Sequence, residues 1–176
     1  FSMQVFDKTQ NKEVTWAPTN ANGYFTGDSI PLKAAFARSI NSVAVRLGQE
    51  MGINRIAETA HKMGIESPLD ETPALALGSS DINLLELANA YSTIANDGKY
   101  VKRQLVTRIL DRNGKEVYKS SISEEQVIPY KSAFLMQQLL MGGTHEPGGT
   151  SMSLNGYVGN FRDTDWGGKT GTSNNH

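Results

Sequence analysis

The sequence predicts an α+β fold in which helices cover an antiparallel sheet. Alternating apolar and polar residues surround a polar turn within 3–16, and a second pair of strand-like stretches, 101–110 and 116–118, surrounds Asn113 and Gly114. Asn-Gly supplies the positive φ angles that a tight hairpin turn needs. Between and after these hairpins, apolar residues recur at helical spacing, which predicts the helices.

The composition is that of one globular domain, or most of one. The 176 residues suffice to bury a core without metals or disulfides. The 17 Lys and Arg balance 18 Asp and Glu without a basic run, so no nucleic-acid partner is expected. The absence of cysteine excludes thiol nucleophiles and cysteine-ligated metals. No apolar stretch approaches the roughly 20 residues that cross a bilayer, so we expect a soluble chain.

The first two helices are predicted to meet at a joint. Asp28 or Ser29 is expected to start the first helix, with Pro31 in its first turn and strong helix formers after it. Residues whose side chains compete for backbone hydrogen bonds then interrupt the helical pattern, which resumes over 43–47. The joint is therefore expected at Ser39–Asn41.

Two further helices are predicted from their glycine stops. One covers 54–63 and ends before Gly64, which is suited to the left-handed position after a helix. The other covers 131–141 and is expected to end at Gly142 and Gly143.

Another helix is predicted between these two. Ser80 or Asp81 is expected to cap its start, and Asn96 begins its stop. Its apolar stripe is interpreted as core packing. The stripe consists of Leu84, Leu87, Ala88, Tyr91, Ile94 and Ala95.

The segment 166–173 has the composition of an anion-binding site. Its glycines allow close approach to the backbone, Lys169 adds a fixed positive charge, and threonines add hydroxyl donors. A phosphate-binding P-loop would need glycine at position 163, which is Asp163, so that pattern is disfavoured. The Lys-Thr-Gly triplet matches instead an edge-strand segment of serine acyl-transferring enzymes.

No metal or other cofactor is predicted. Asp163–Asp165 resembles the start of a twelve-residue calcium-binding loop. The fifth position of such a loop is Gly167 here, and the twelfth is Asn174 rather than glutamate, so a calcium site is disfavoured. His61 and His145 each lack a second histidine at ligand spacing.

Acyl transfer by a serine needs a nucleophile, a base, a proton relay, oxyanion donors and a cation for an anionic substrate end. Residues two apart on an irregular joint can face one cleft, and a glycine in an extended segment lets a substrate lie alongside it. The order of these motifs along the chain leads us to expect that Asn41 and Lys169 line one cleft. The candidate catalytic residues are Ser39, Asn41 and Lys169, and the candidate substrate-binding residues are Thr170, Gly171 and Thr172.

Four stretches, in order, resemble the penicillin-binding proteins, and more closely the transpeptidase domain of their bifunctional, class A kind. Trp16–Asn20 ahead of Ala34–Leu47 resembles the second-motif region of that family, and Leu84–Tyr91 resembles its following helix. The spacing to Gly168–Ser173 also fits. The resemblance implies a β-lactamase/transpeptidase-like fold, with residues 1–176 as the central part of a single transpeptidase domain that is incomplete at both ends.

The resemblance also implies roles and partners. Ser39 would relay protons, Asn41 would hold the substrate and the nearby lysine, and Lys169 with Thr170 and Thr172 would bind a terminal carboxylate. The amide of Thr172 would be one of two oxyanion donors. The implied partners are peptidoglycan stem peptides and β-lactams. The implied parent protein carries a glycosyltransferase domain and a membrane anchor, at the extracytoplasmic face of the bacterial cytoplasmic membrane.

The nucleophile that the resemblance implies is missing. No serine has lysine three residues later; Ser29 comes closest, with Lys33 four away. In the family the catalytic serine and lysine precede the tryptophan-proline segment, so here they would precede Phe1. Two hypotheses remain: part of a D,D-transpeptidase that is inactive alone, or a non-catalytic module that binds cell-wall peptide or a protein partner. A serine with lysine three residues on, upstream in the parent gene, distinguishes them.

Overall fold

A computed structural model describes residues 2–7, 10–25, 27–158 and 164–172. Its helices are α1 (Leu32–Ala37), α2 (Asn41–Met51), α3 (Ile53–Lys62), α4 (Leu84–Ala95), α5 (Tyr130–His145) and α6 (Asn155–Val158), with short 3₁₀ helices at Pro73–Leu77 and Met152–Leu154. Its strands are β1 (Met3–Asp7), β2 (Lys12–Trp16), β3 (Lys99–Val101), β4 (Arg108–Leu110), β5 (Glu116–Lys119) and β6 (Glu124–Gln126). The mixture of helices and antiparallel strands confirms the α+β class.

The strands form three two-stranded antiparallel sheets, β1-β2, β3-β6 and β4-β5. The hairpins at both predicted places are confirmed, with Gly114 at positive φ in the turn between β4 and β5. The predicted strand over 101–110 is two strands instead, and β6, which pairs with β3, was not predicted. Its sequence, Glu-Glu-Gln, has no apolar alternation, which explains why the sequence did not reveal it.

The described residues 164–172 contain no strand, so the expected edge strand at Lys169 is not formed here. A strand needs a neighbouring strand to satisfy its backbone groups. The segment is instead held by a hydrogen bond from Gly168 N to Leu140 O in α5, at 3.2 Å.

The chain divides into two compact units, which we describe separately. Unit 1 comprises Phe1–Ala57, Leu69–Ser80 and Leu135–His176. Its core contains Val45, which is fully buried, and Gly48 lies so close to the 3₁₀ helix that a Cβ there would stand 2.7 Å from the Cβ of Ala76. The rest of this core is Ala35, Ala37, Ala57, Leu75 and Leu140.

Two helix ends in unit 1 differ from the prediction. Helix α1 starts at Leu32 rather than at Asp28 or Ser29, because Pro31 has extended backbone and its carbonyl accepts the first helical bond, from Ala35 N at 3.0 Å. Helix α5 does not end at its glycines but runs to His145. Gly143 packs closely against Ser151 instead of ending the helix, as described below.

Unit 2 comprises Glu58–Pro68 and Asp81–Phe134, and its core is built from Ile65, Ala90, Thr93, Ile94 and Ala133. Gly64 follows α3 with φ of +93°, which confirms the predicted stop. The cap of α4 is Asn83, whose side chain accepts from Leu85 N at 2.8 Å, and not Ser80 or Asp81.

The predicted apolar stripe of α4 is wrong except for Ile94. Leu84 is 78% exposed, and Leu87 and Tyr91 are also exposed. The buried face contains Glu86 instead, because its carboxylate finds hydrogen-bond donors inside the unit. No helix among the described residues is both long and apolar enough to cross a bilayer.

Candidate functional site

The joint between α1 and α2 has the location that the sequence predicts. Helix α1 closes with hydrogen bonds from Ser39 N to Phe36 O at 3.1 Å and from Ile40 N to Ala35 O at 3.0 Å. Between the helices Ser39 adopts φ of +55°, a left-handed conformation that costs a non-glycine residue about 1–2 kcal/mol. Such strain is often found where a side chain must take a particular direction.

Asn41 is the first residue of α2, and its side chain is fixed by the preceding loop. Its Nδ2 donates to Thr19 O at 2.8 Å. The neighbouring Asn20 is buried, and its side-chain Oδ1 accepts a hydrogen bond from Ser42 N at 3.1 Å. It therefore satisfies a backbone N–H in the first turn of α2, although it is distant in sequence. Thr19 and Asn20 therefore fix the position of the joint between α1 and α2.

The Lys169 segment lies against α5 by close backbone contact. A Cβ at Gly167 would stand 3.1 Å from the Cβ of Leu140, which is buried. A larger residue at Gly167 would push the segment away from α5. The glycine and the Gly168–Leu140 hydrogen bond together place Lys169.

Lys169 contacts the joint directly, although it lies 130 positions from it in sequence. Its Nζ donates to Ser39 Oγ and, at 3.1 Å, to Thr170 O. The ammonium also lies 6.0 Å from the centre of the Phe36 ring, within the range of a cation–π interaction. No carboxylate in the described part of the chain forms an ion pair with it.

The pKa of Lys169 lies below the ordinary value for lysine because partial burial disfavours the charged form. The side chain keeps access to solvent, so it stays within reach of a ligand. Since no carboxylate of the described residues pairs with it, Lys169 at the wall of the cleft is suited to bind an anion that enters from outside.

All six predicted site residues line one cleft of about 490 Å³, a volume in the range of small-molecule sites. Asn41 and Lys169 thus share a cleft, as the sequence predicts. A Cβ at Gly171 would meet nothing within 4 Å, so the cleft is open beside the Lys169 segment. Apolar residues of α1, α2 and the first 3₁₀ helix also line the cleft, among them Leu32, Phe36, Leu47 and Leu77.

Two residues of this region were not predicted from the sequence. Thr150 lines the cleft, with its Oγ1 2.8 Å from Thr170 Oγ1. Asn20 accepts a hydrogen bond from Ser42 N in the first turn of α2, as described above. A glycine pair before Thr150 and a proline before Thr19 mark both places as turns, but a turn signal alone does not indicate a contact with residues far along the chain.

The described residues contain no group of three histidine and carboxylate side chains that could hold a metal ion. Asp163, on which the rejected calcium-loop and P-loop patterns both depend, lies outside the described residues, as does Ser173.

Comparisons with known proteins identify a related family. The sequence model of one protein family, the penicillin binding protein transpeptidase domain, matches residues 2–175. Penicillin-binding protein 2D of Bacillus subtilis is 32% identical over 169 residues, covering 92% of this chain and 24% of that protein. Penicillin-binding protein 1A of Clostridium acetobutylicum is 32% identical over 176 residues, covering 98% of this chain and 21% of that protein. The chain thus spans about a quarter or less of these relatives.

Solved structures share the fold. Penicillin-binding protein 1A from Haemophilus influenzae superposes with a TM-score of 0.80 at 24% identity, over 99% of this chain and 30% of that one. The D,D-transpeptidase domain of a peptidoglycan glycosyltransferase from Eggerthella lenta gives a TM-score of 0.69 at 23% identity, over 99% and 47%. The expected β-lactamase/transpeptidase-like fold is therefore confirmed.

Proposed function

The chain belongs to the family of penicillin-binding protein transpeptidase domains, and from that premise we propose that it is the central part of a single D,D-transpeptidase domain. In this proposal the parent protein cross-links peptidoglycan stem peptides through a serine acyl-enzyme, and β-lactams acylate it as substrate mimics. The observation that carries the proposal is the contact between Lys169 Nζ and Ser39 Oγ in a cleft that Asn41 also lines.

The Lys169–Ser39 hydrogen bond supports a proton relay. Lys169 donates to Ser39 Oγ, so the single hydroxyl proton of Ser39 is available for another acceptor. When a peptide bond of the substrate breaks, its leaving amine takes up a proton. Ser39 can donate that proton and recover one from the Lys169 ammonium, because the lowered pKa of Lys169 makes the transfer easier.

The same lysine can bind the terminal carboxylate of the substrate. Two of its three ammonium donors have partners in Ser39 and Thr170, which leaves one for a ligand. Thr170 and Thr172 line the cleft beside it and add hydroxyl donors. The open side of Gly171 leaves room for the substrate backbone along the segment. The Thr172 amide is proposed as one of the two oxyanion donors.

Asn41 also lines the cleft and is proposed to hold the substrate there. Its Nδ2 has two hydrogens, of which one is bonded to Thr19 O, and its amide oxygen is a further acceptor. Because the bond to Thr19 fixes the amide plane, Asn41 can present these groups to a substrate amide in a constant orientation.

The nucleophile of the proposed reaction lies outside these 176 residues, since none of their serines is followed by lysine three positions later. The chain alone is accordingly proposed to be inactive. The parent is proposed to carry a membrane anchor and a glycosyltransferase domain and to act at the extracytoplasmic face of the cytoplasmic membrane. The reaction needs no cofactor.

The test is exchange of the terminal D-amino acid of a synthetic stem pentapeptide for a fluorescent D-amino acid, catalysed by the purified parent protein. We expect exchange that penicillin abolishes and that Lys169→Ala reduces. Folding of each variant is followed by thermal unfolding. Exchange that is absent from a folded wild-type protein, together with reversible binding of the peptide, would favour the non-catalytic binding module instead.

A further inference from the structure

We propose that Thr150 is a positioning residue of this site, which directs the hydroxyl proton of Thr170 towards the carboxylate of a bound substrate. The inference rests on the proposed function of the cleft and deepens it. Thr150 lies in the loop after α5, outside the Lys-Thr-Gly triplet, and lines the cleft beside Thr170.

Thr150 bridges the two segments that form the site. Its backbone N donates to Ala37 O at 3.0 Å, at the end of α1 and two residues before Ser39. Its Oγ1 lies 2.8 Å from Thr170 Oγ1, next to Lys169. Thr150 therefore links the end of α1 to the Lys169 segment.

The loop that carries Thr150 is attached to α1 independently of Thr170. Lys33 and Glu146 form an ion pair at 2.9 Å, and Arg38 Nε donates to Pro147 O at 2.9 Å. Both contacts lie within four residues of Thr150. The loop therefore keeps its place on α1 when the Thr150 hydroxyl is removed.

The other side of the loop is packed against α5. Ser151 N donates to Gly143 O at 3.1 Å, and a Cβ at Gly149 would collide with that same carbonyl. A Cβ at Gly143 would stand 3.3 Å from Ser151 Oγ. These contacts fix the backbone on both sides of Thr150.

Either hydroxyl can donate in the Thr150–Thr170 hydrogen bond, and a carboxylate bound at Thr170 would set its direction. Each hydroxyl has one proton, so if Thr170 donated to Thr150 it would present only lone pairs to a carboxylate. If Thr150 donates, the Thr170 proton is available for the carboxylate. The competing acceptor for Thr150 Oγ1 is Ala37 O at 3.4 Å, which is much longer than the 2.8 Å to Thr170 and already accepts from the Thr150 backbone.

A hydroxyl that accepts one hydrogen bond becomes a better donor in the next, because the two bonds polarise each other. The chain from Thr150 to Thr170 to the carboxylate therefore strengthens the last bond as well as orienting it. The effect requires a charged acceptor in the cleft, which separates it from simple support of the loop.

The experiment compares Thr150→Val, which keeps the shape and removes the hydroxyl, with Thr150→Ser, which keeps the hydroxyl, in the parent protein. The second-order rate constant of acylation is measured with penicillin G and with its methyl ester, which lacks the carboxylate charge. We expect Thr150→Val to slow acylation by penicillin G about three- to tenfold, as loss of one hydrogen bond implies, with the ester affected less than about twofold and Thr150→Ser close to wild type.

A structural role for Thr150 would lower both rates equally. Equal loss with both compounds, or no loss with penicillin G, overturns the inference while acylation of the wild type leaves the proposed function standing. A wild type that neither compound acylates overturns both. Should Thr150→Val not fold, as judged by thermal unfolding, Thr150→Ala is compared with the same two compounds under the same criteria.

Discussion

Lys169 in unit 1 and Glu86 in unit 2 each have a pKa below the ordinary value, for opposite physical reasons. Partial burial lowers the pKa of Lys169 by disfavouring its charged form. The pKa of Glu86 is lowered chiefly by hydrogen bonds from the backbone and side chain of Ser67, which favour its charged form. The lowered pKa therefore reflects a charge disfavoured by burial in Lys169 and a charge stabilised by hydrogen bonds in Glu86.

The surroundings of Glu86 are those of a structural carboxylate. Its Oε2 accepts from Ser67 N at 3.0 Å, from Ser67 Oγ at 2.7 Å and from Glu66 N at 3.1 Å. These bonds tie the loop after α3 to the first turn of α4, and Arg103 adds a favourable charge. These interactions stabilise the charge of the Glu86 carboxylate without a ligand.

Lys169 differs from Glu86 in the partners that surround its charge. Its hydrogen bonds go to a hydroxyl and a carbonyl, and no carboxylate of the described residues neutralises it. A shifted pKa alone therefore does not identify a site. A candidate ligand-binding group is one whose surroundings disfavour its charged form. A structural group is one whose charged form is stabilised by hydrogen-bond donors of the protein.

The largest effect is expected for Ser39→Ala in the parent protein. Loss of the proposed proton relay should lower the rate of D-amino acid exchange about a hundredfold, the lower end of general acid–base contributions. The matched control is Ser42→Ala, since Ser42 Oγ bonds to Asn20 Oδ1 at 3.2 Å rather than facing the cleft. Similar rates for both variants would remove Ser39 from the mechanism.

Lys169→Ala is expected to slow acylation by penicillin about ten- to a hundredfold, because a hydrogen bond to a charged group contributes roughly 1.5–3 kcal/mol. Lys169→Arg should lose less, since it keeps the positive charge. Stopped-flow measurement of acylation by a chromogenic β-lactam provides the comparison. Equal rates for wild type and Lys169→Ala would exclude the lysine from carboxylate binding.

The pH dependence of acylation should reveal the lowered pKa of Lys169. The lysine is charged below its pKa, so acylation should fall as the pH rises through that lowered value, earlier than an ordinary lysine would allow. In Lys169→Arg the charge persists, and this alkaline decline should disappear. A decline at the same pH in both proteins would assign it to another group.

The smallest effect on the reaction is expected for Glu86→Gln, which should leave acylation unchanged. Because the folded-state pKa of Glu86 is lowered, its stabilisation is present above the unfolded-state pKa and is lost as the pH falls through the folded-state value. Glu86→Gln should therefore lower the melting temperature at neutral pH, and the difference from wild type should shrink in acid. Glu125→Gln, at an exposed position, serves as the control. A difference that persisted unchanged in acid would contradict this role for the Glu86 charge.

The sequence predicted which residues share the cleft better than it predicted the details of the fold. The joint at Ser39 and the anion-binding composition around Lys169 are local signals, since backbone competition and glycine spacing act over a few residues. The buried face of α4 was missed because Glu86 is polar, and only its donors in the loop after α3 make its burial favourable. The contact of Thr150 with Thr170 was missed because it depends on how α5 and α1 pack around the loop.

We propose that this chain supplies the proton relay and the carboxylate-binding side of a transpeptidase site, and that the nucleophile lies elsewhere. Intact-mass spectrometry after incubation with excess penicillin, followed by peptide mapping, tests it on the parent protein and on the isolated 176-residue chain. We predict one adduct per parent molecule, on a serine outside these residues, and none on the isolated chain. A stoichiometric adduct on any serine of the chain, abolished by prior denaturation, would contradict the claim.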